Sequence, residues 1–203
     1  MLLRNTQQQQ ILYSGVYLQL YNLTESTVTK CIEAIWSAIE NNWKLADLSD
    51  KMRREWVRSK ARTHTELNED RRLDAVLALC EYIIQELPVS KIETEKAGGG
   101  NWDDVAIYKI CERLGWPLVI TDKANSAVKR RVRNDKGALV LVKDFRNELA
   151  HGSLSFAECS AGTTVSDLDD LKNCIVIYLR EVVAFFQSSI NSHKFLLQER
   201  RPA

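Results

Sequence analysis

The sequence predicts an all-α protein of one domain, and three observations carry this prediction. Apolar residues recur at steps of three and four along most of the 203 residues, which is the spacing of one face of an α-helix. Only three prolines and eight glycines interrupt these patterns. A chain of this length can also bury roughly 70% of its unfolded surface without help from a metal or a disulfide. We therefore expect one helical domain over residues 1–203.

The amino-terminal element is predicted to be one long helix over residues 1–42. Its periodic positions are Leu12, Val16, Leu20, Leu23, Thr27, Cys31, Ile35 and Ile39. Two further helices follow by the same criterion, and Pro88 ends the second of them. The first carries Leu45, Leu48, Met52 and Trp56, and the other carries Leu73, Val76, Leu77, Cys80, Ile83, Ile84 and Leu87.

A polar connection separates these helices from the second half of the chain. Residues 89–100 end in three glycines, which predicts the most flexible segment of the protein. A short helix follows, with Asn101 or Asp103 as its cap and Gly115 and Pro117 at its end. Residues 118–121 are predicted to form a short extended piece.

A second long helix is predicted near the carboxyl terminus. Ser166 followed three residues later by Asp169 resembles a capping box, which would start this helix. Its apolar positions are Leu168, Leu171, Ile175, Tyr178, Val182 and Phe186. Residues 192–203 then form a carboxyl-terminal tail.

Between these elements lies the stretch DFRNELAHG at residues 144–152, which ends an apolar-periodic helix. Ala138, Val142, Phe145 and Leu149 step by four, three and four residues, so one face of this helix is predicted to be core. Gly152 is the residue type that ends a helix in the left-handed conformation. His151 is therefore expected in the last turn, with Asn147 one turn earlier on the same face.

An arginine, an amide and a histidine at this position suit phosphodiester chemistry without a metal. Such cleavage of RNA requires groups that move protons at neutral pH, as histidine does, and a cation over the phosphate oxygens, as Arg146 would supply. One chain offers only His151 in this frame, and a two-fold dimer would bring a second copy to the same cleft. The alternative is an ordinary helix end, with surface ion pairs to Asp144 or Glu148.

RNELAHG, followed by Ser155-Phe156 and a polar-capped long helix, resembles the R-x(4-6)-H signature of the HEPN superfamily. These are small all-helical ribonucleases common in toxin-antitoxin and phage-defence loci, and the likeness extends from about residue 101 to residue 189. The resemblance implies a HEPN-like bundle and a homodimeric, metal-independent endoribonuclease that forms 2',3'-cyclic phosphate. Arg146 would clamp the phosphate, His151 would be the acid or base, and Asn147 would orient or contact the phosphate.

One position departs from a branch of that superfamily. HEPN toxins that are silenced by nucleotidylation carry the modified tyrosine two residues after the histidine, where this chain has Ser153. The resemblance therefore implies restraint by another route, such as an antitoxin or a defence-system protein. We expect such a partner to dock on the apolar tail residues Phe195, Leu196 and Leu197, and the alternative is that this tail packs on the chain's own long N-terminal helix.

A cluster of cations directly precedes the motif helix and is a second candidate site. Lys129, Arg130, Arg131 and Arg133 are predicted to bind RNA, and a solvated surface is the alternative. Trp102 could stack on a base, yet a tryptophan at the start of a helix is more often a core anchor. With 28 basic and 27 acidic residues, any affinity for RNA must come from such local patches.

Composition and motifs exclude several other classes. The sequence has no phosphate-binding P-loop, no HExxH, no G-x-S-x-G and no zinc spacing, so we expect no metal and no cofactor. Five widely spaced cysteines fit reduced thiols, and we expect a cytoplasmic protein with no membrane span and no signal peptide. The alternative functions are a catalytically silent HEPN-like module that pairs with a nuclease or antitoxin, and an RNA-binding adaptor.

Overall fold

The computed structural model describes residues 2–62, 69–90 and 101–202. Within these ranges it contains α-helices and short 3-10 turns at Leu45–Asp47 and Gln198–Arg200, and it contains no β-strand. The prediction of an all-α fold is confirmed. The helices are α1 (Leu2–Ile39), α2 (Asp50–Arg62), α3 (Glu69–Ile84), α4 (Asp104–Leu114), α5 (Asp122–Lys129), α6 (Ala138–Ala150), α7 (Phe156–Cys159) and α8 (Val165–Asn191).

The chain divides into two compact units. The first comprises Met1–Thr29, Gly98–Tyr108 and Val119–Phe185, and the second comprises Lys30–Ala97, Lys109–Leu118 and Phe186–Ala203. The single domain over residues 1–203 stays a prediction. Of the connection predicted to be flexible, residues 91–100 lie outside the described residues.

In the first unit, α6 carries the motif and packs against α5 and α7. It buries the predicted core positions Ala138, Val142 and Phe145, whereas Leu149 is only half-buried near the helix end. Tyr17 of α1 packs edge-on against the ring of Phe145, with 4.9 Å between the ring centroids. These contacts place one side of α6 against α1.

The start of α6 depends on a glycine. Gly137 is the N-cap of the helix, and a Cβ there would lie 2.6 Å from the carbonyl oxygen of Val128 in α5. Such a separation is far below van der Waals contact, so a larger residue would push α5 and α6 apart. Glycine at this position therefore permits the close approach of the two helices.

Helices α5 and α7 were not predicted. Thr121 caps α5 by accepting a hydrogen bond from the Ala124 amide at 3.3 Å. Its own backbone is extended, with φ −68° and ψ 153°, and residues 118–121 belong to no strand. Ser155 and Glu158 form a capping box at α7. Both helices are too short to display a hydrophobic period, and their caps were the available signals.

The capping box of α8 lies two residues earlier than predicted. Thr164 donates its amide to the carboxylate of Asp167 at 2.8 Å, and the Asp167 amide donates to the Thr164 hydroxyl at 3.2 Å. Asp169, which was expected to cap with Ser166, instead accepts a hydrogen bond from the Lys172 ammonium. Both sequences fit the capping pattern, and the helix begins at the first of them.

Helix α8 also corrects an expectation about membranes. We expected no apolar stretch near the length of a membrane span, yet α8 is long and apolar enough by length and composition to cross one. Core helices pass the same test, and α8 buries Leu171, Ile175, Tyr178 and Val182 within the first unit. This property alone is weak support for a membrane segment.

The carboxyl-terminal tail packs inside the second unit, so the prediction that Phe195, Leu196 and Leu197 form an exposed docking surface is wrong. Phe195 and Leu196 are fully buried, and Leu197 is half-buried. The amide of Ser49 donates to the Phe195 carbonyl, and the Leu197 amide donates to the Asp47 carbonyl, each at 2.9 Å. The partner of the tail is the segment after α1, because that segment offers main-chain groups to pair with.

Helix α3 in the second unit exposes the face that was expected to be apolar core. It packs through Tyr82, whose ring lies 5.1 Å from the ring of Trp56 in α2. The helix itself was predicted correctly, but the burial of its periodic side was not. The exposed large side chains are Leu73, Val76, Leu77, Ile83, Ile84 and Leu87.

Candidate active site at the end of helix α6

The end of α6 has the geometry that the glycine predicted. Gly152 has a φ of +70°. Its amide donates to the Leu149 carbonyl at 3.3 Å, and the Ser153 amide donates to the Glu148 carbonyl at 3.0 Å. This pair of bonds is a Schellman motif, which satisfies the last carbonyl groups of the helix. His151 is the C-cap residue, and its side chain is exposed.

Arg146 lies on α6 five residues before His151 and is held on two sides. Its guanidinium stacks on the ring of Tyr21 from α1, with 4.9 Å to the ring centroid. Its Nη1 donates to the Oδ1 of Asn147 at 2.8 Å. Since Tyr21 is fully buried, the ring gives the cation a fixed platform.

Asn147 links Arg146 to the segment that precedes α4. Its Nδ2 donates to the Oδ1 of Asn101 at 2.8 Å, while its Oδ1 accepts from Arg146. Both polar ends of the amide are therefore used, and this pattern assigns the orientation of the amide. The three polar side chains form a continuous network, and His151 is linked to it through the chain, because its amide donates to the Asn147 carbonyl at 3.0 Å.

The residues after Asn101 fasten this network to the core. Trp102 is buried, and its amide donates to the Tyr21 hydroxyl at 3.3 Å. Trp102 is therefore an anchor in the core, as the second interpretation predicted, and its ring is not exposed to stack on a base. Asp103 caps α4 by accepting from the Ala106 amide at 2.8 Å, which leaves Asn101 to contact Asn147.

Burial raises the pKa of Tyr21 above its usual value, although the hydrogen bond from the Trp102 amide and the positive charge of Arg146 act in the opposite direction. The hydroxyl is therefore protonated at neutral pH. Tyr21 acts as a neutral platform and hydrogen-bond partner in this site, and it is not a candidate base.

An ordinary helix end was expected to pair Arg146 with Asp144 or Glu148, and among the described residues the ion pairs near the motif do not include Arg146. Asp144 pairs with Lys136 at 2.8 Å, and Lys143 pairs with Asp103 at 2.6 Å. Burial alone would lower the pKa of Lys143, but the Asp103 carboxylate and its neighbours outweigh it and raise that pKa. Asp144 and Asp103 are therefore paired with lysines rather than with Arg146.

The structure separates the four cations of the predicted RNA-binding cluster. Arg133 donates to the Cys159 carbonyl at 2.8 Å, and its guanidinium lies 5.4 Å from the ring centroid of Phe145, so it has a structural role in the first unit. Lys129, Arg130 and Arg131 are exposed. Arg131 pairs with a nearby aspartate, and Arg130 lies 4.0 Å from another.

The sequence did not predict that Tyr21 would lie beneath Arg146 or that Asn101 would contact Asn147. Asn101 was noted only as a possible cap, and Tyr21 lies on a helix whose buried side follows the usual spacing. Asn147 and Asn101 are 46 positions apart, and Trp102 and Tyr21 are 81 positions apart. Nothing in one sequence marks contacts over such separations.

Comparison with protein families decides the membership of this chain. A family model described as HEPN_MAE_28990-like HEPN matches residues 2–195. The chain belongs to this HEPN family. The match includes α1 and α3 as well as the motif, so it extends well beyond the likeness seen in the sequence. No curated protein and no solved structure matches the chain.

HEPN domains are generally ribonucleases or nucleotide-binding modules, and some members are inactive. This HEPN domain therefore falls in a group for which RNA cleavage is a plausible activity. In the part of the chain that the structure describes, no group of three or more histidine, cysteine, aspartate or glutamate side chains is arranged to hold a metal ion.

Proposed function

We propose that this HEPN domain is a metal-independent endoribonuclease. The observation that carries the proposal is the preorganised network at the end of α6: Arg146 rests on Tyr21 and donates to Asn147, and His151 is exposed about one turn later, at the C-cap of the same helix. A positively charged fork held in place costs little further ordering when a phosphate binds. Arg146 would contact the phosphate, Asn147 would hold Arg146 and orient the phosphate, and His151 would transfer protons.

The reaction proposed is an attack by the ribose 2'-hydroxyl on the adjacent phosphorus. A base removes the 2'-hydroxyl proton, the bond from phosphorus to the 5'-oxygen breaks, and an acid protonates that oxygen. The products are a 2',3'-cyclic phosphate and a 5'-hydroxyl. Arg146 offsets the negative charge that builds on the phosphate oxygens, and each proton transfer typically contributes about 100- to 10,000-fold to the rate.

Two histidines suit this reaction better than one, so we propose a homodimer with a composite site. His151 is the histidine that accompanies the arginine-amide network. His193 belongs to the second unit and lies against the rings of Trp43 and Phe195, and His64 lies outside the described residues. A two-fold axis near the end of α6 would supply the second His151 and Arg146 from the partner chain.

The cellular role proposed is that of a toxin or an anti-phage defence effector in the cytoplasm. A ribonuclease with an exposed histidine would damage its own cell, so a protein partner is expected to restrain it. Lys129, Arg130 and Arg131 are proposed to guide the RNA, because their side chains are exposed on the same unit as the motif. Arg133 is left out of this group because the Cys159 carbonyl occupies it.

Cleavage of a short RNA by the purified protein tests the proposal. Activity should persist in excess EDTA, yield cyclic phosphate ends, and spare a substrate with 2'-deoxyribose at the cut position. Mixing wild type with the His151→Ala variant should lower the activity per wild-type chain, because mixed dimers hold an incomplete site. Dependence on magnesium, or full activity of a strict monomer, would contradict the mechanism.

The second candidate is a catalytically silent HEPN-like module that acts by binding a partner. The exposed apolar face of α3 favours this function, because such faces are common at sites of protein association. The His151→Ala variant separates the two candidates. A silent module would keep its cellular effect in this variant, whereas a ribonuclease would lose it.

A further inference from the structure

Helix α3 presents a continuous apolar stripe to solvent. Its five large apolar side chains, from Leu73 to Ile84, are between 50% and 78% exposed, and Cys80 is exposed among them. At 100° per residue these positions fall within an arc of about 120°. Monomeric proteins rarely expose an apolar patch beyond about 300–600 Å² without using it.

The other side of α3 is the one that anchors the helix. Leu79 and Tyr82 are half-buried, and the Tyr82 ring lies against Trp56 of α2. The Glu86 amide donates to the Ile83 carbonyl and the Leu87 amide to the Tyr82 carbonyl, a Schellman motif that ends the helix. Because these contacts hold α3 from behind, the stripe is free to meet another molecule.

Acidic residues follow one edge of the stripe. Asp70, Glu81 and Asp74 come next to Leu77 in the helical register, and all are exposed. Gln85 donates to the Glu81 carboxylate at 3.0 Å, and this bond leaves the negative charge in place. The surface therefore combines a long apolar stripe with a negatively charged border.

Glu86 lies beyond the end of α3, where its φ of +51° breaks the helical register. Glu86 already pairs with Lys44, the ammonium lying 2.6 Å from its carboxylate. This ion pair holds opposite charges close together at the end of the helix, so it favours neither sign of charge in a partner. The acidic edge is therefore the one that distinguishes a basic partner from an acidic one.

We propose that this stripe binds an amphipathic helix of another protein, with an apolar face and lysine or arginine residues along one edge. Such a helix would bury its apolar face on Leu73, Leu77 and Ile84 and would align its cations with Asp74 and Glu81. The α3 stripe, rather than the buried carboxyl-terminal tail, is then the place where a regulating partner docks.

Two other occupants fit the charges less well. A second copy of α3 packed antiparallel across a two-fold axis would bring acidic edge against acidic edge, and like charges at an interface repel. A membrane with anionic lipids would also repel the acidic border. The inference goes beyond the proposed ribonuclease function and holds whether or not the chain cleaves RNA.

The test uses two synthetic helices of the length of α3. Both carry leucines at the spacing of the stripe, and one has lysines along an edge where the other has glutamates. The full-length protein should bind the lysine peptide at least about tenfold more tightly than the glutamate peptide. Binding should also slow alkylation of Cys80, because Cys31, Cys111, Cys159 and Cys174 are buried and react little.

Matched variants locate the binding. Leu77→Asp and Ile84→Asp should each weaken binding by about tenfold or more while leaving the thermal melt unchanged, because both side chains are exposed. Leu12→Asp, at a leucine of α1 that is 69% exposed, should leave binding intact. Equal loss in all three variants would show that the peptide binds elsewhere.

Four results would overturn the proposal. Equal binding of both peptides would remove the role of the acidic edge. Slow alkylation of Cys80 at every protein concentration would mean that the chain itself covers the stripe. Slow alkylation only at high concentration, relieved in Leu77→Asp, would assign the stripe to a second copy. Protection of Cys80 by vesicles of anionic lipid would assign it to a membrane.

Discussion

Two arginines of the first unit, Arg133 and Arg146, lie over aromatic rings in nearly the same way and differ in what else they contact. The Arg133 guanidinium is 5.4 Å from the ring centroid of Phe145, and that of Arg146 is 4.9 Å from the centroid of Tyr21. Arg133 donates to a main-chain carbonyl, whereas Arg146 donates to the side chain of Asn147.

This difference separates a structural arginine from a candidate functional one. The Cys159 carbonyl needs a donor, because that residue is buried and an unsatisfied carbonyl is costly. Asn147 is only half-buried, so water can replace Arg146 as the donor to its Oδ1 when the guanidinium turns to a phosphate, and the cost is smaller. The ring orients the charge in both cases, and the acceptor decides whether the charge remains available.

The largest expected effect is the loss of RNA cleavage when the site around Arg146 is changed. Arg146→Ala and His151→Ala should each lower RNA cleavage by about 100- to 10,000-fold. His151→Ala should change the free energy of unfolding by no more than about 0.5 kcal/mol because this side chain is exposed, and Arg146→Ala should lower it by about 0.5–2 kcal/mol through loss of the stacked cation. A gel assay and a thermal melt on the same samples measure both quantities. Full activity of His151→Ala would end the assignment of this site.

Arg133→Ala should have the opposite effects, lowering stability and leaving cleavage intact. Arg133→Ala should lower the free energy of unfolding by about 1–3 kcal/mol, because it leaves a buried carbonyl without its charged donor. Cleavage per folded molecule should persist. Lys129→Ala is the control, since that exposed side chain should change stability by no more than about 0.5 kcal/mol. If Arg133→Ala kept native stability and lost activity, Arg133 would be a functional residue rather than a structural one.

A smaller effect should follow from removal of the platform beneath Arg146. Tyr21→Leu removes the ring and should lower kcat by about 3- to 30-fold, because a stacked cation is worth roughly 0.5–2 kcal/mol. Tyr21→Phe keeps the ring and should stay within about threefold of wild type. The KM for RNA should change less than kcat in both variants. Equal loss in Phe and Leu would show that the hydroxyl bond to the Trp102 amide matters more than the ring.

The smallest effect concerns the exposed cations before α6. Replacement of Lys129, Arg130 and Arg131 by glutamine should weaken RNA binding without changing kcat at saturating RNA. The slope of log affinity against log salt should fall by about 2, since each phosphate contact on a single strand contributes about 0.7. Arg133→Gln should leave that slope unchanged. An equal change of slope in Arg133→Gln would return this arginine to the RNA-binding group.

Helices were predictable from the sequence where local rules suffice. The period of α1, α3, α6 and α8 and the left-handed glycine after His151 follow from contacts within about four residues, and the structure has each of them. The short helices α5 and α7 escaped because they hold too few residues for a period. The cap of α8 was predicted two residues too late, because two overlapping sequences fit the pattern of a capping box.

Burial was less predictable than helicity. The apolar periods of α3 and α8 look alike in the sequence, yet α8 buries its face and α3 exposes most of its own. An apolar face indicates only that some surface must cover it, and the chain can supply that surface or leave it to a partner. The tail shows the reverse case, because Phe195 and Leu196 were expected to be exposed and are covered by the segment after α1.

The sequence by itself determined the helical class, the residues that carry the HEPN motif and the cap that places His151 at the end of α6. These features depend on hydrogen bonds and side-chain spacing inside one helix, and the chain encodes them locally. The tertiary structure decided that Tyr21 lies beneath Arg146, that Asn101 holds Asn147, and that Arg133 is occupied by a carbonyl. Those contacts join residues distant in the chain, and they form only when packing of the helices fixes which side chains meet.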